Sequence, residues 1–190
     1  MFTRVLIALL LSVTYAYSAA DSYEYKLLAT NKTSTMEKEL NEASELGFRI
    51  EKAMGGDSAF GGAEVVVIMS REKSSAARGR FAYKLLATNK TSTMQKELND
   101  AGNEGFEYRD QTVFNSAFGG KEVVAILELD RTANPKVRYE YKLLATNKTS
   151  TMQKELLEAG AAGFKFVGVT VSKTAFGGNE VVSILRKEIR

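Results

Sequence analysis

Histidine and cysteine are both absent from this chain, which limits the chemistry open to it. A serine-hydrolase triad needs histidine, a thiol nucleophile needs cysteine, and protein zinc sites draw mainly on these two residues. Carboxylate and lysine chemistry remains. Its candidate residues recur in three places along the chain, first as Lys26, Lys32, Lys38, Glu39 and Glu64. We interpret them as solvated strand and helix residues, with Lys38 and Glu39 on an exposed helix face, and predict no catalytic, cofactor-binding or metal-binding residues.

The run TNKTST is the most suggestive segment, because it places a lysine and three hydroxyl groups where a helix is expected to begin. Free N–H groups and the helix dipole attract anions to such positions. The candidate anion-binding residues are Lys32, Thr33, Ser34, Thr35, Lys90, Thr91, Ser92, Thr93, Lys148, Thr149, Ser150 and Thr151. The alternative is helix capping with a solvated lysine, and we favour it.

A second candidate is the segment AFGG, which precedes the last strand expected in each copy. Its aromatic rings are candidate anchors for a partner protein, at Phe60, Phe118 and Phe176. The alternative is a turn or bulge in which glycine supplies a positive φ and the ring covers the core. We favour this structural interpretation.

These candidates recur because the chain contains three tandem copies of one module. Tyr25, Tyr83 and Tyr141 each open the identical run YKLLATNKTSTM, and the two intervals between these tyrosines are equal, so the copies align without gaps. Internal repeats of this kind indicate a repeated structural unit. We predict modules at 21–72, 81–130 and 138–190, with polar linkers at 73–80 and 131–137.

Each module predicts an α+β unit in the order β-α-β-β. Alternation of apolar and polar residues from Tyr23 to Leu27 indicates the first strand. Met36, Leu40 and Ala43 form the apolar stripe of the helix. The third strand is apolar on both faces and is therefore expected in the centre. The sequence thus predicts one helix on a three-stranded sheet of order 1-3-2.

The ends of each helix carry their own signals. In the first copy Ser34 is the predicted N-cap, and Glu37 is expected to close a capping box with it. Gln95 and Gln153 occupy the position of Glu37 in the other copies. Gly47, and with it Gly105 and Gly163, is expected to end the helix in a left-handed conformation.

One helix covers only one face of such a sheet, and the other face is also apolar. Val66 and Ile68 point to one side of the third strand, and Val65 and Met69 to the other. A module this short also has a marginal core by itself. We therefore expect the repeats to pack within the chain through their helix-free sheet faces, around a pseudo-threefold axis or in pairs that leave a face for a homo-oligomer.

The module is similar to a known family in four features: the opening YEYKLL, the helix ending in glycine, the Gly-aromatic start of the second strand, and the apolar strand near the end. It resembles the bacterial family described as domain of unknown function 4177, over nearly the whole chain after the first segment. The family usually has tryptophan where this chain has Phe48, Phe106 and Phe164. The resemblance implies a fold and a bacterial origin, but no activity.

The N-terminal segment 1–20 predicts the location of the protein. Arg4 is followed by an apolar run from Val5 to Ala16, too short to span a bilayer, and then by small residues. We predict a cleaved signal peptide and a secreted or periplasmic protein. The formal net charge of +3 indicates neither nucleic-acid binding nor a polybasic membrane signal.

Together these features predict a secreted, non-catalytic repeat protein that binds an unknown ligand or protein or plays a structural role. The alternative is a small anionic-ligand sensor, or an enzyme based on lysine and glutamate, at the TNKTST helix starts.

Overall fold

A computed structural model describes residues 22–58, 62–74, 77–116, 120–133, 137–173 and 179–189 of this 190-residue chain. Module 1 contains β1 (Tyr23–Thr30), α1 (Thr33–Glu45), β2 (Arg49–Ser58) and β3 (Gly62–Glu72). Module 2 contains β4 (Phe81–Thr88), α2 (Thr91–Asn103), β5 (Glu107–Ser116) and β6 (Gly120–Asp130). Module 3 contains β7 (Arg138–Thr146), α3 (Thr149–Ala161), β8 (Lys165–Lys173) and β9 (Asn179–Ile189).

Each module forms its own three-stranded sheet, and the predicted α+β fold is confirmed. The strand orders are β1-β3-β2, β4-β6-β5 and β7-β9-β8, and every pairing is antiparallel. The third strand of each module is therefore central, as its two apolar faces predict. We call the two faces of each sheet the helix side, which the module's own helix covers, and the helix-free side.

The helices end as predicted but begin differently. Gly47, Gly105 and Gly163 have φ values of 90°, 98° and 88°, so the left-handed helix ends are confirmed. The predicted N-cap at Ser34 is wrong, because α1 begins at Thr33 and its N-cap residue is Lys32, which makes no side-chain capping bond.

The hydroxyl that stabilises this turn comes from the end of the preceding strand. The Lys32 amide donates to Thr30 Oγ1 at 3.2 Å, and the two other copies repeat this bond from Lys90 to Thr88 and from Lys148 to Thr146. A threonine hydroxyl two residues back is a common local turn device. It takes the place of the predicted capping box.

The apolar stripe of the helix is buried in the first two modules. Met36, Leu40 and Ala43 of α1 have no exposed surface, and α2 buries Met94, Leu98 and Ala101 in the same positions. In α3 only Ala159 is fully buried, and Met152 and Leu156 are half-buried. The third module is therefore the least covered of the three.

The modules stack in a row, so that each of the first two helices lies between two sheets. The core around α1 includes Phe81, Tyr83, Val124 and Ile126 from the helix-free side of the second sheet. The core around α2 likewise takes in Tyr141 and Ile184 of the third sheet. The expected packing of helix-free faces against one another is therefore wrong, because each such face in modules 2 and 3 instead covers the preceding module's helix.

No helix in the described part of the chain is both long enough and apolar enough to cross a membrane.

Candidate functional site

The first contact between modules joins the helix α1 to the edge of the second sheet. Strand β4 is an edge strand, so the outward N–H and C=O groups of its backbone need partners. Asn41 supplies two: its Nδ2 donates to the Tyr83 carbonyl and its Oδ1 accepts from the Tyr83 amide, both at 2.9 Å. Glu37 Oε2 accepts from the Leu85 amide at 2.8 Å. The side chain predicted to close a capping box therefore binds the next module instead.

The spacing of these residues explains why a helix can bind a strand edge. Residues four apart on a helix are separated by about 6 Å along its axis. Residues two apart on a strand are separated by roughly 6.6 Å. Glu37 and Asn41 thus face Leu85 and Tyr83 in register, and the helix side chains replace a missing neighbouring strand.

Module 2 repeats this contact on module 3 with an amide in place of the carboxylate. Gln95 Nε2 donates to the Tyr141 carbonyl and Gln95 Oε1 accepts from the Leu143 amide, both at 2.8 Å. Asn99 Oδ1 accepts from the Tyr141 amide at 2.8 Å. A carboxylate only accepts hydrogen bonds whereas an amide also donates them, so Gln95 takes over the carbonyl that Asn41 binds in the first contact.

The helix approaches the strand so closely that only a small residue fits one turn later. Ser44 Oγ of α1 donates to the Phe81 carbonyl at 2.6 Å. The equivalent residue of α2 is Gly102, and a Cβ added there would lie 2.2 Å from the Tyr139 carbonyl oxygen. Any larger side chain would push α2 away from β7 and break the hydrogen bonds on that edge.

We call the contact between modules 1 and 2 the first seam and the contact between modules 2 and 3 the second seam. In each seam a buried tyrosine hydroxyl binds the backbone of the preceding module at a β-bulge. The Tyr83 hydroxyl accepts from the Ile50 amide at 3.1 Å and donates to Glu128 at 2.9 Å. The pairing of β2 with β3 is irregular just after Ile50. Burial raises the pKa of the Tyr83 phenol, and the neighbouring Glu128 carboxylate raises it further, so the hydroxyl keeps its proton and remains a donor.

In the second seam the Tyr141 hydroxyl accepts from the Tyr108 amide at 2.6 Å and donates to the Phe106 carbonyl at 2.9 Å. Burial likewise raises the pKa of the Tyr141 phenol. The tyrosine that opens the run YKLLATNKTSTM is therefore the residue that locks module 2 onto module 1 and module 3 onto module 2.

An ion pair occupies the same position in both seams, with its polarity reversed. In the first seam Arg49 of module 1 contacts Glu128 of module 2 at 2.8 Å. In the second seam Glu107 of module 2 contacts Arg186 of module 3. Glu107 stands one repeat after Arg49, and Arg186 one repeat after Glu128. Module 2 thus presents a carboxylate to both of its neighbours.

Glu128 is the most enclosed charge of the two seams, with 3% of its side chain exposed. Arg109 of its own module also contacts it, at 2.7 Å. Burial raises the pKa of the Glu128 carboxyl, while Arg49 acts in the opposite direction. Several donors share this carboxylate, which is the condition under which a buried charge is tolerated.

The predicted anion-binding residues lie at three separate helix starts. Most are exposed, including the three lysines and three serines of the set. At the start of α2, Thr91 Oγ1 donates at 3.2 Å to Glu180, the equivalent of Glu64. The cavity there measures about 10 Å³ and is lined by Thr88, Lys90 and Thr170 among others. It holds roughly one water, and its neighbouring carboxylate repels an anion.

The lysine and glutamate candidates are distributed over several elements, with Lys26 on β1, Lys32 before α1, Lys38 and Glu39 on α1, and Glu64 on β3. Lys38 is exposed and pairs with Glu42 at 3.6 Å, as a solvated helix face predicts. The exposed position predicted for Glu39 is wrong, because it is half-buried, as are Glu97 and Glu155 in the other copies. Across the described ranges, no cluster of three or more carboxylates is arranged to hold a metal ion. The three candidate partner-binding rings, Phe60, Phe118 and Phe176, lie outside the described residues.

Sequence reasoning missed the residues that make the seams, although the copies themselves contain the signal. Position 41 of the first module is asparagine, and its equivalents are Asn99 and Leu157. The two helices that are seen to bind a following module carry the amide, and α3 carries leucine. The reversal of charge between Arg49 and Glu107 is visible in the same way.

Comparisons of the chain with models of protein families, with curated proteins and with solved structures found no match.

Proposed function

We propose that this chain is a secreted, non-catalytic repeat protein whose three modules act together as one interaction scaffold. The observation that carries the proposal is the use made of the recurring polar side chains. Glu37 and Asn41, like their equivalents Gln95 and Asn99, form hydrogen bonds with the backbone of the following module. We infer that these residues recur because they hold each module to the next one.

The surroundings of the helix starts give the sensor or enzyme alternative less support. Catalytic and ligand-binding groups usually converge in one concave site with perturbed pKa values. The groups with raised pKa values here include Tyr83, Tyr141 and Glu128. These three lie in the seams between modules and are hydrogen-bonded to protein partners, which is what a structural role requires.

The secreted or periplasmic location and the relationship to the family of domain of unknown function 4177 belong to the same proposal. They rest on the N-terminal segment 1–20 and on the repeated motifs of the sequence. N-terminal sequencing of the exported protein tests the location, because retention of Met1 would contradict cleavage.

An NMR titration with phosphate and sulfate tests the proposed function against the anion sensor. We expect no saturable shift of the amide signals from Thr33, Ser34 and Thr35 or from their equivalents. The matched control is the triple variant K32A/K90A/K148A. A saturable shift in the wild type that disappears in this variant would overturn the non-catalytic scaffold in favour of an anion-binding protein.

A further inference from the structure

Among the side chains that the structure describes, the large exposed apolar ones lie at the two ends of the stack. In module 1 they are Tyr23, Tyr25, Leu27, Leu46, Met54 and Ile68. In module 3 they are Leu157, Phe166, Val169, Val171 and Val181. Among the residues whose side chains the structure describes, module 2 contributes none. Apolar surface gathered in this way marks an interaction site more often than scattered residues do.

The exposed residues of each end lie on opposite sides of their sheets. In module 1, Leu27 is paired with Ile68, and Met54 with Val66, on the helix-free side. In module 3, Val171 is paired with Val181, which is the equivalent of the helix-side residue Val65. Module 1 thus exposes the helix-free side of its sheet, the side that binds a helix in modules 2 and 3. Module 3 exposes its helix side, the side that binds the next sheet in modules 1 and 2.

Equivalent residues inside the stack show what each end lacks. Tyr25 is 70% exposed, whereas Tyr83 and Tyr141 are 3% and 2% exposed. Ile68 is 43% exposed, whereas Ile126 and Ile184 are fully buried. The third module is uncovered on the opposite side, where Met152 and Leu156 of its helix are only half-buried. The exposed face of module 1 therefore lacks a helix to cover it, and the helix of module 3 lacks a sheet to cover it. Each of these two faces could cover the other.

We propose that the helix side of module 3 in one chain binds the helix-free side of module 1 in a second copy of the same chain. This head-to-tail contact rests on the proposed scaffold function, and it continues the two seams within the chain. Strand β1 has the same sequence, YEYKLLAT, as the part of β7 that receives α2. Gln153 and Gly160 of α3 stand at the positions of Gln95 and Gly102, so the hydrogen-bonding amide and the small residue are both present.

The charges of the two ends also agree with this contact. Lys165 stands at the position of Arg49 and Glu107, the residues that reach across each seam, and it is exposed. In the facing module Ser70 stands at the position of Glu128 and Arg186, and its hydroxyl donates to the exposed Glu51 at 2.5 Å, so Lys165 would lie near the Glu51 carboxylate. A cation then lies near an anion, although the acid stands at the position of Arg109 and not at that of Glu128.

Leu157 is the one departure from the pattern of the inner seams. It is 65% exposed and replaces the asparagine that binds the strand backbone. It adds apolar contact but leaves the Tyr25 amide without the partner that Asn99 gives to Tyr141, whereas Gln153 can bind the Tyr25 carbonyl as Gln95 binds that of Tyr141. The contact between chains is therefore weaker than the seams within the chain. A head-to-tail contact grows into a filament unless it closes into a ring.

Sedimentation of two blocked variants of the exported chain tests the proposal. Y25E blocks the end that accepts a helix, and L157E blocks the end that offers one. The wild type is expected to increase in mass with concentration, and each variant alone to remain a monomer. An equimolar mixture of the two variants should form a one-to-one complex, because each retains the face that the other needs. L46E, which changes an exposed apolar residue outside the paired faces, should associate like the wild type.

Circular dichroism establishes that both blocked variants fold, which their exposed positions favour. L157E that dimerises alone, or variants that stay apart on mixing while the wild type associates, would overturn the head-to-tail contact. A wild type that is monomeric at its highest soluble concentration would also overturn it, and would leave the faces to an unrelated protein. None of these outcomes bears on anion binding, so the scaffold function stands or falls separately.

The variant L157N tests the register of the contact. It restores the asparagine of the inner seams, and its self-association is expected to be about tenfold tighter than that of the wild type, as one regained hydrogen bond would give. Weaker association of L157N would show that α3 does not occupy the place of α2 on β7, and would overturn the proposal in this form.

Discussion

Position 49 of the first module shows how one residue adapts to its place in the stack. Arg49 contacts the buried Glu128, the equivalent Glu107 contacts Arg186, and the equivalent Lys165 is exposed. The charge at this position follows the neighbour and not the module. The three modules have nearly the same sequence, but the residue at this position contributes differently to the free energy of unfolding in each of them.

The variant R49E should lower the free energy of unfolding by roughly 2 to 3 kcal/mol, because it sets a second carboxylate beside Glu128. Arg109 remains in contact with Glu128, so we expect the loss to stay at or below about 3 kcal/mol, the lower limit for broken buried pairs. Urea unfolding measures it. The matched control K165E, at the exposed equivalent position, should change stability by no more than about 0.5 kcal/mol. Equal losses in the two variants would contradict the buried pairing.

Asp130 predicts how the protein responds to acid. A hydrogen bond from Arg80 holds the pKa of the Asp130 carboxyl well below its ordinary range, and Thr132 adds further donors. A carboxyl with a lowered pKa in the folded state stabilises the fold above the pKa of the unfolded chain, about 3.9. That contribution is lost as the pH falls below this value towards the folded pKa.

The variant D130N removes this titration. We expect its unfolding midpoint in urea to fall less steeply than that of the wild type below about pH 4. Parallel curves for the two proteins across that range would show that the contact with Arg80 does not contribute.

At the scale of the elements, helix α1 covers the edge strand β4 of the next module. Edge strands invite unwanted pairing with other chains, and a covering helix removes that risk. Asn41 and Glu37 satisfy three backbone groups of β4. The helix thereby protects an edge and positions the next module with the same side chains.

The variant N41L copies into α1 the leucine that α3 carries naturally. It leaves the Tyr83 amide and carbonyl without partners in a part-buried seam, and should cost about 2 to 4 kcal/mol of unfolding free energy. Urea unfolding at low protein concentration measures this. The reverse change L157N, at an exposed site, should be neutral there to within about 0.5 kcal/mol. Stability of N41L near that of the wild type would contradict the role given to this seam.

Local sequence patterns predict the elements well and the seams poorly. The stripe Met36, Leu40 and Ala43, the glycine helix ends and the central third strand depend on neighbouring residues, so periodicity is sufficient to place them. Glu37 resembles a capping residue locally, but its partner Leu85 is 48 residues away. Only a comparison of the copies with one another, at positions such as Asn41 and Leu157, contains that information.

At the scale of the whole molecule, the cores cross the boundaries between modules. The core around α1 includes residues of module 2, and the core around α2 includes residues of module 3. Repeat arrays unfold in steps when such interfaces are weak and together when they are strong. The buried tyrosines and ion pairs of both seams place this chain in the strong class.

We expect the three modules to unfold in one cooperative transition. Calorimetric and van't Hoff enthalpies should agree, and near-ultraviolet and far-ultraviolet circular dichroism should give coincident urea curves. The module 2 fragment 81–130 should not remain a stable monomer, because both of its faces lose their partners. Separate transitions, or a stable monomeric fragment, would contradict the shared cores.

The reversed ion pair also bears on how the gene can change length. Tandem repeats misalign during recombination. An exchange between the identical runs YKLLATNKTSTM of modules 2 and 3 duplicates or removes module 2 together with Glu107 and Glu128. A second copy of module 2 would set Glu107 against Glu128, and its deletion would set Arg49 against Arg186. Like charges placed across an interface cost several kcal/mol. The polarity of the two ion pairs therefore penalises a descendant in which module 2 is duplicated or lost.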